Sequence, residues 1–200
     1  MEEFKGLRKE LDDAITYGCF ELAEELAQEG LRQAAEKGYL GEAEYFKGQL
    51  EILNGNYCGA IEHFDLAIEY NPYDAAAFND RALCMVELGI IEEAFYYFDK
   101  GIEVEPDYAT IHHNKGWLLN KIGRHSEAIE CFRRALELEP DRAVTYENLA
   151  NALANLEDYQ KALACYKKAI DLLKPEYSDI KEQIIAEMRL LEAEMNRGQP

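Results

Sequence analysis

Cations are scarce in this sequence: 21 lysines and arginines stand against 40 aspartates and glutamates, a net charge of −19 over 200 residues. A surface so charged is repelled by phosphate backbones and anionic bilayers. Nucleic acid and membrane surfaces are therefore excluded as partners, and a neutral to basic one is expected. Long apolar runs are missing too, since no uncharged stretch approaches the roughly 20 residues that span a bilayer. Met1-Glu2-Glu3-Phe4-Lys5 has neither the basic nor the apolar region of a secretory signal. The cysteines (Cys19, Cys58, Cys84, Cys131, Cys165) are odd in number and form no Cys-x-x-Cys pair. That excludes a disulfide framework and points to reduced thiols in a cytoplasm.

Groups that carry catalysis are equally sparse. There is no Gly-rich phosphate loop and no serine nucleophile elbow. His112 and His113 are adjacent, so on a helix they point about 100° apart and cannot share a metal. His125 with Glu127 and Glu130, or His63 with Cys58, lacks the His-x-x-x-His or Glu-x-x-His spacing that makes a metal site specific. Cys131 and Cys165 recur in a column that also holds His63 and Tyr97, the mark of a structural position. No enzyme activity, metal or cofactor is expected. With 48% hydrophobic residues, on the other hand, the chain can bury a substantial core.

What is abundant is periodicity. Pro72, Pro106 and Pro140 are spaced by 34 residues, and Pro175 follows at 35. Ala60, Ala94, Ala128 and Ala162 recur at 34, as do Phe64, Phe98, Phe132 and Tyr166, and Ala67, Gly101, Ala135 and Ala169. Gly55, Gly89, Gly123 and Glu157 mark a turn in the same register. Each period reads as two helices, with the Gly column ending the first and proline stopping the second. Small residues in the second helix permit close approach, and the aromatic fills the space beside them.

Pattern and period resemble the tetratricopeptide repeat family, over units 41–74, 75–108, 109–142 and 143–176. The small residue of the first helix (Gly48, Ala82, Gly116, Ala150) fits the family; the column before it (Glu44, Phe78, His112, Tyr146) departs from its usual aromatic. Upstream, Gly18, Ala23 and Gly30 echo the turn and small columns, with Ala27 in place of the aromatic, so 2–40 reads as a divergent N-terminal helical pair. Downstream, Ser178-Asp179 is expected to cap a last helix within 177–196, with Ile180, Ile184, Met188, Leu191 and Met195 on one face. The resemblance implies an all-α fold: one right-handed α-solenoid spanning 1–200, closed by a C-terminal capping helix.

In this family the first helices line a concave surface that binds extended or helical peptides. Helical spacing places Tyr45 and Gln49, then Asn79, Asp80 and Leu83, then His113, Asn114, Trp117 and Lys121, then Asn148, Asn151 and Asn155 on that side. Asp80, Asn114 and Asn148 share one column, and asparagine amides match the C=O and N–H of a peptide bond. Glycosyltransferase-associated and kinesin light-chain repeats resemble this asparagine arrangement. The subfamily that clamps the terminal carboxylate of heat-shock chaperones does not: Asn79, Leu83, Asn114, Val144 and Asn148 occupy its positions, and no cation is left. The expected role is a non-catalytic, co-chaperone-like scaffold or adaptor for a protein or peptide ligand. The alternative is a homo-oligomer assembled through groove or end-cap docking.

Overall fold

The turn column explains how the chain folds locally. In the computed structural model, which describes residues 2–197, the chain reverses after Thr16, Leu53, Glu87, Lys121 and Asn155 by one recurring device. Gly18, Gly55, Gly89 and Gly123 all take φ between 73° and 83°, the left-handed conformation in which a side chain is costly. Their N–H groups, and those of the residues that follow, close back on the helix end: Gly55 to Ile52 O at 2.8 Å and Asn56 to Glu51 O at 2.9 Å, for example. Glu157 makes the same turn at φ 60° without being glycine, with Asp158 N reaching Leu153 O at 3.0 Å. Before the column prolines, Asn71, Glu105 and Glu139 leave the helical region and end the second helices.

The elements are α1 (Glu2–Thr16), α2 (Phe20–Lys37), α3 (Leu40–Leu53), α4 (Tyr57–Tyr70), α5 (Ala75–Glu87), α6 (Ile91–Val104), α7 (Ala109–Lys121), α8 (His125–Leu138), α9 (Ala143–Asn155), α10 (Tyr159–Leu172), a 3₁₀ turn (Pro175–Tyr177) and α11 (Ser178–Arg197). No strand occurs among the described residues, and none of their helices is long and apolar enough to cross a membrane. The helices gather into two compact units, 1–106 and 107–200. In the first, α1 to α6 pack each on the next; in the second, α7 to α11 do the same.

Within each unit the core follows the small and aromatic columns. Phe64, Phe98 and Phe132 are fully buried, as are Ala60, Ala94, Ala128 and Ala162. A Cβ added to Gly48 would lie 2.7 Å from the Phe64 ring, and one on Gly116 2.9 Å from the Phe132 ring. The divergent pair solves the same problem differently. With Ala27 where the aromatic would be, the ring comes from the following helix: Phe46 lies against Gly30, whose added Cβ would be 2.4 Å from it, and Phe4 packs on Phe46 at 5.8 Å.

At the C-terminal end, Ile184 and Leu191 are buried and Ile180, Met188 and Met195 half-buried, so α11 presents one apolar face. The expected capping by Ser178-Asp179 is not what starts it. The 3₁₀ turn runs straight on, Ser178 is already helical (φ −56°, ψ −39°), and its hydroxyl donates to Asp179 at 3.3 Å.

Two substitutions test this account in opposite directions. Gly30→Ala drives a methyl into the buried Phe46 ring and is expected to cost about 1–3 kcal/mol. Glu157→Gly relieves the left-handed turn and is expected to stabilise by about 1 kcal/mol. Thermal melts followed by circular dichroism read both; equal midpoints for the two variants would contradict the packing and turn assignments.

Candidate functional site

In the first unit, the first-helix residues expected on an open face have internal partners. Tyr45, Gln49 and Asn79 are buried, because their polar atoms converge on one carboxylate. The Tyr45 hydroxyl donates to Asp80 Oδ2 at 2.8 Å, Gln49 Nε2 to the same oxygen at 2.5 Å, and Asn79 Nδ2 to Oδ1 at 2.7 Å. Burial outweighs these donors and, with the Asp12 charge adding, pushes the Asp80 carboxyl up to about 7. Leu83, one turn on, is half-buried.

Beside this cluster sits a residue that the groove pattern did not single out. Arg8 of α1 reaches Glu42 Oε2 through Nε (3.0 Å) and Nη2 (2.7 Å), and the two oxygens of Asp74 through Nη1 and Nη2 (2.9 Å each). Its guanidinium lies 3.6 Å above the Tyr45 ring. The available signal in the sequence was slight: Arg8 precedes Glu42 by 34 residues, one repeat length, but the divergent pair is out of register with the other columns.

The second unit leaves more of its first-helix side open. His113 is buried, its Nδ1 2.9 Å from the Thr145 hydroxyl, and burial followed by the Arg142 charge holds it well below the ordinary histidine value, so it is neutral. Asn114 and Trp117 are half-buried and Lys121 is exposed, with its ammonium 4.7 Å from the centre of the Trp117 ring. On α9, Asn148 donates to Val144 O of its own helix at 3.1 Å, and Asn151 accepts from the Tyr166 hydroxyl. The exposed Asn155 amide lies 3.4 Å from Asn120 Oδ1, which is itself 2.6 Å from His125 Nδ1. Glu147, half-buried on the same helix, is pushed up to about 7 by burial and by Glu187 of α11.

Chemically these are hydrogen-bonding and stacking surfaces. Among the described residues no three His, Cys, Asp or Glu side chains are placed to hold a metal ion. Of the sequence-derived set, Asp80 joins Tyr45, Gln49 and Asn79 in the first unit, and Trp117 joins Lys121 in the second. Tyr45, Gln49, Asn79 and His113, expected to be accessible, are buried: Tyr45, Gln49 and His113 bond to a neighbouring first helix, and Asn79 to Asp80 beside it.

Paired helices joined by identical left-handed turns, with small residues facing aromatic ones, define a helix–turn–helix repeat protein. The tetratricopeptide repeat profile matches residues 109–142 and 143–173, so those two units are tetratricopeptide repeats. No curated protein matches the sequence. Among solved structures, a thermophilic tetratricopeptide protein of Thermus thermophilus is similar with a TM-score of 0.71 at 19% identity, over 91% of this chain and 98% of that one. MamA gives 0.59 at 18% identity, over 86% and 96%. YrrB, described as a tetratricopeptide protein with an unusual peptide-binding site, gives 0.57 at 20% identity, over 86% and 88%. At such identities the likeness establishes the fold.

The two raised carboxyls make a pH prediction. Both lose their protons more readily unfolded, near pH 4, than folded, near pH 7, so ionisation favours unfolding. Their contribution is complete below about pH 4 and is lost as pH rises through about 7. His113 works the other way, costing stability as pH falls below its ordinary value of 6.5. A chain carrying Asp80→Asn and Glu147→Gln is therefore expected to gain on the parent, in urea midpoint, between about pH 5 and pH 8. A constant difference across that range would contradict the assignment.

Proposed function

We propose that this chain is a non-catalytic protein–protein interaction scaffold of the cytoplasm, taking a neutral to basic peptide segment along its first helices. The observation that carries the reading is the second unit's accessible row: Asn114, Trp117 and Lys121 on α7, with Asn148, Asn151 and Asn155 on α9. A half-buried indole with a cation over one face offers an apolar anchor, and asparagines on successive first helices offer donors and acceptors to a peptide backbone. Asn148 spends one N–H on Val144 O of its own helix, and an amide keeps an acceptor and a second donor beside that bond. The likeness to YrrB, itself described by its peptide-binding site, supports the same use of the fold.

The acidic excess of the chain sets the preference among ligands. Glu147 sits half-buried in this row with its carboxyl pushed up to about 7 by burial and Glu187, so an incoming lysine or arginine would favour its ionised form and gain a partner. Lys121 is the opposing charge and keeps the preference mild.

Trp117 is the only tryptophan, so its emission reports occupancy directly. Peptides selected on the purified chain from a random library are expected to shift that emission. Asn114→Ala combined with Asn148→Ala should weaken them about tenfold, at about 0.5–1.5 kcal/mol per lost bond, with helical content unchanged. Undiminished affinity in the double variant would sink the asparagine row as the binding surface.

A further inference from the structure

One column of the first helices joins each to the first helix that follows. Tyr45 of α3 donates to Asp80 of α5 at 2.8 Å, and His113 of α7 meets the Thr145 hydroxyl of α9 at 2.9 Å. Glu147 of α9 stands in the same column, 34 residues after His113, and its counterpart is Glu187 of α11. The first two joints set a donor against an acceptor. The last sets two carboxyls against each other.

No cation offsets this joint. Glu147 is half-buried, and burial, with the Glu187 charge adding, pushes its carboxyl up to about 7. The Tyr166 hydroxyl of α10 donates to Asn151 Oδ1 and is also bonded to Glu187, so one hydroxyl proton serves two acceptors. Burial, Glu187 and Glu147 together push this phenol up, and it stays neutral. Glu187 from α11 and Tyr166 from α10 are thus the titratable groups that face Glu147, and none comes from α7 or α8. Among the described residues no lysine or arginine pairs with Glu147 or Glu187.

α11 is also held in a way that lets it move as a body. It packs chiefly on α10, through Ile184 and Leu191, 1% and 7% exposed, while Leu190 stands in solvent at 68%. Its link to α10 is short and extended: Leu173 (φ −68°, ψ 131°) and Lys174 (φ −65°, ψ 154°) precede the 3₁₀ turn. A few residues at the end of an element are enough to hinge the element that follows.

We propose that α11 is a proton-controlled cap: it stays docked on α10, beside α9, while Glu147 is protonated, and ionisation of Glu147 against Glu187 releases it from the end of the second unit. The direction follows from linkage. Docked, Glu147 holds its proton up to about pH 7; in water its ordinary value is 4.5. Its contribution to docking is therefore complete below the ordinary value and is lost as pH rises through about 7, by up to about tenfold per pH unit in between. Release goes beyond the loss of global stability that the same carboxyl brings, because it leaves the rest of the unit folded.

Hydrogen exchange on the full chain, between about pH 5.5 and about pH 8, tests this. Protection of α11 is taken relative to α8, so that the chemical pH dependence of exchange cancels. That ratio is expected to fall at least about tenfold in the parent and to stay level in Glu147→Gln, with α8 protected throughout. Glu187→Gln should show a smaller fall. A level ratio in the parent, or a fall in Glu147→Gln equal to the parent's, overturns the proposal. So does loss of α8 protection together with that of α11, which marks unfolding of the whole unit. If Glu147→Gln does not fold, Glu187→Gln decides: a fall as large as the parent's counts against release through this pair.

Discussion

Everything in this protein depends on a first helix being able to approach its second helix closely enough for an aromatic ring to lie on bare backbone. Gly48 against Phe64 and Gly116 against Phe132 are the direct instances, with room for no methyl between them. Each buried ring contributes about 1.5–3 kcal/mol of apolar burial. Together with the fully buried alanines of the second helices, this gives every pair a core of its own. The constraint also explains the exception. Where Ala27 withdraws the ring from the N-terminal pair, Gly30 stays small because Phe46 enters from the next helix. The contact is kept in kind while its donor changes.

Close approach has a polar consequence. Within each unit first helices such as α3, α5 and α9 pack on a helix before and a helix after them, so polar residues on them are largely drawn indoors, where each must find a partner. Asp80 collects three donors, His113 meets Thr145, and Asn151 meets Tyr166. The same pressure leaves Asp80 and Glu147 with carboxyls near neutrality and makes the Arg8 clamp worth its desolvation. The accessible surface along first helices is therefore a narrow strip, on which Trp117 and Asn114 are half-buried.

Much of the fold was legible before any coordinates. The 34-residue columns located the turns within the four repeats, the buried alanines of their second helices and the buried aromatics of those same helices, because each column answers to a local demand: φ above zero, close approach, or ring volume. Even Glu157, which breaks the glycine column, adopts the conformation that the register assigned to it. The start of α11 was less legible, since a 3₁₀ turn and a helix can share one continuous path and make the Ser178 cap unnecessary.

Accessibility was the quantity that helical spacing could not supply. A 100° projection sorts residues into sides of one helix and says nothing about what another helix lays over them. Tyr45, Gln49 and Asn79 project like Asn114 and Trp117, yet burial separates them. The sequence by itself determined the repeat, its turns and the identity of its core, since those rest on contacts within one helix pair. Only the tertiary structure decided which polar residues stay accessible and which face each other. That depends on α1 bringing Arg8 to Glu42 and Asp74 across 34 and 66 residues, a long-range placement that no local pattern encodes.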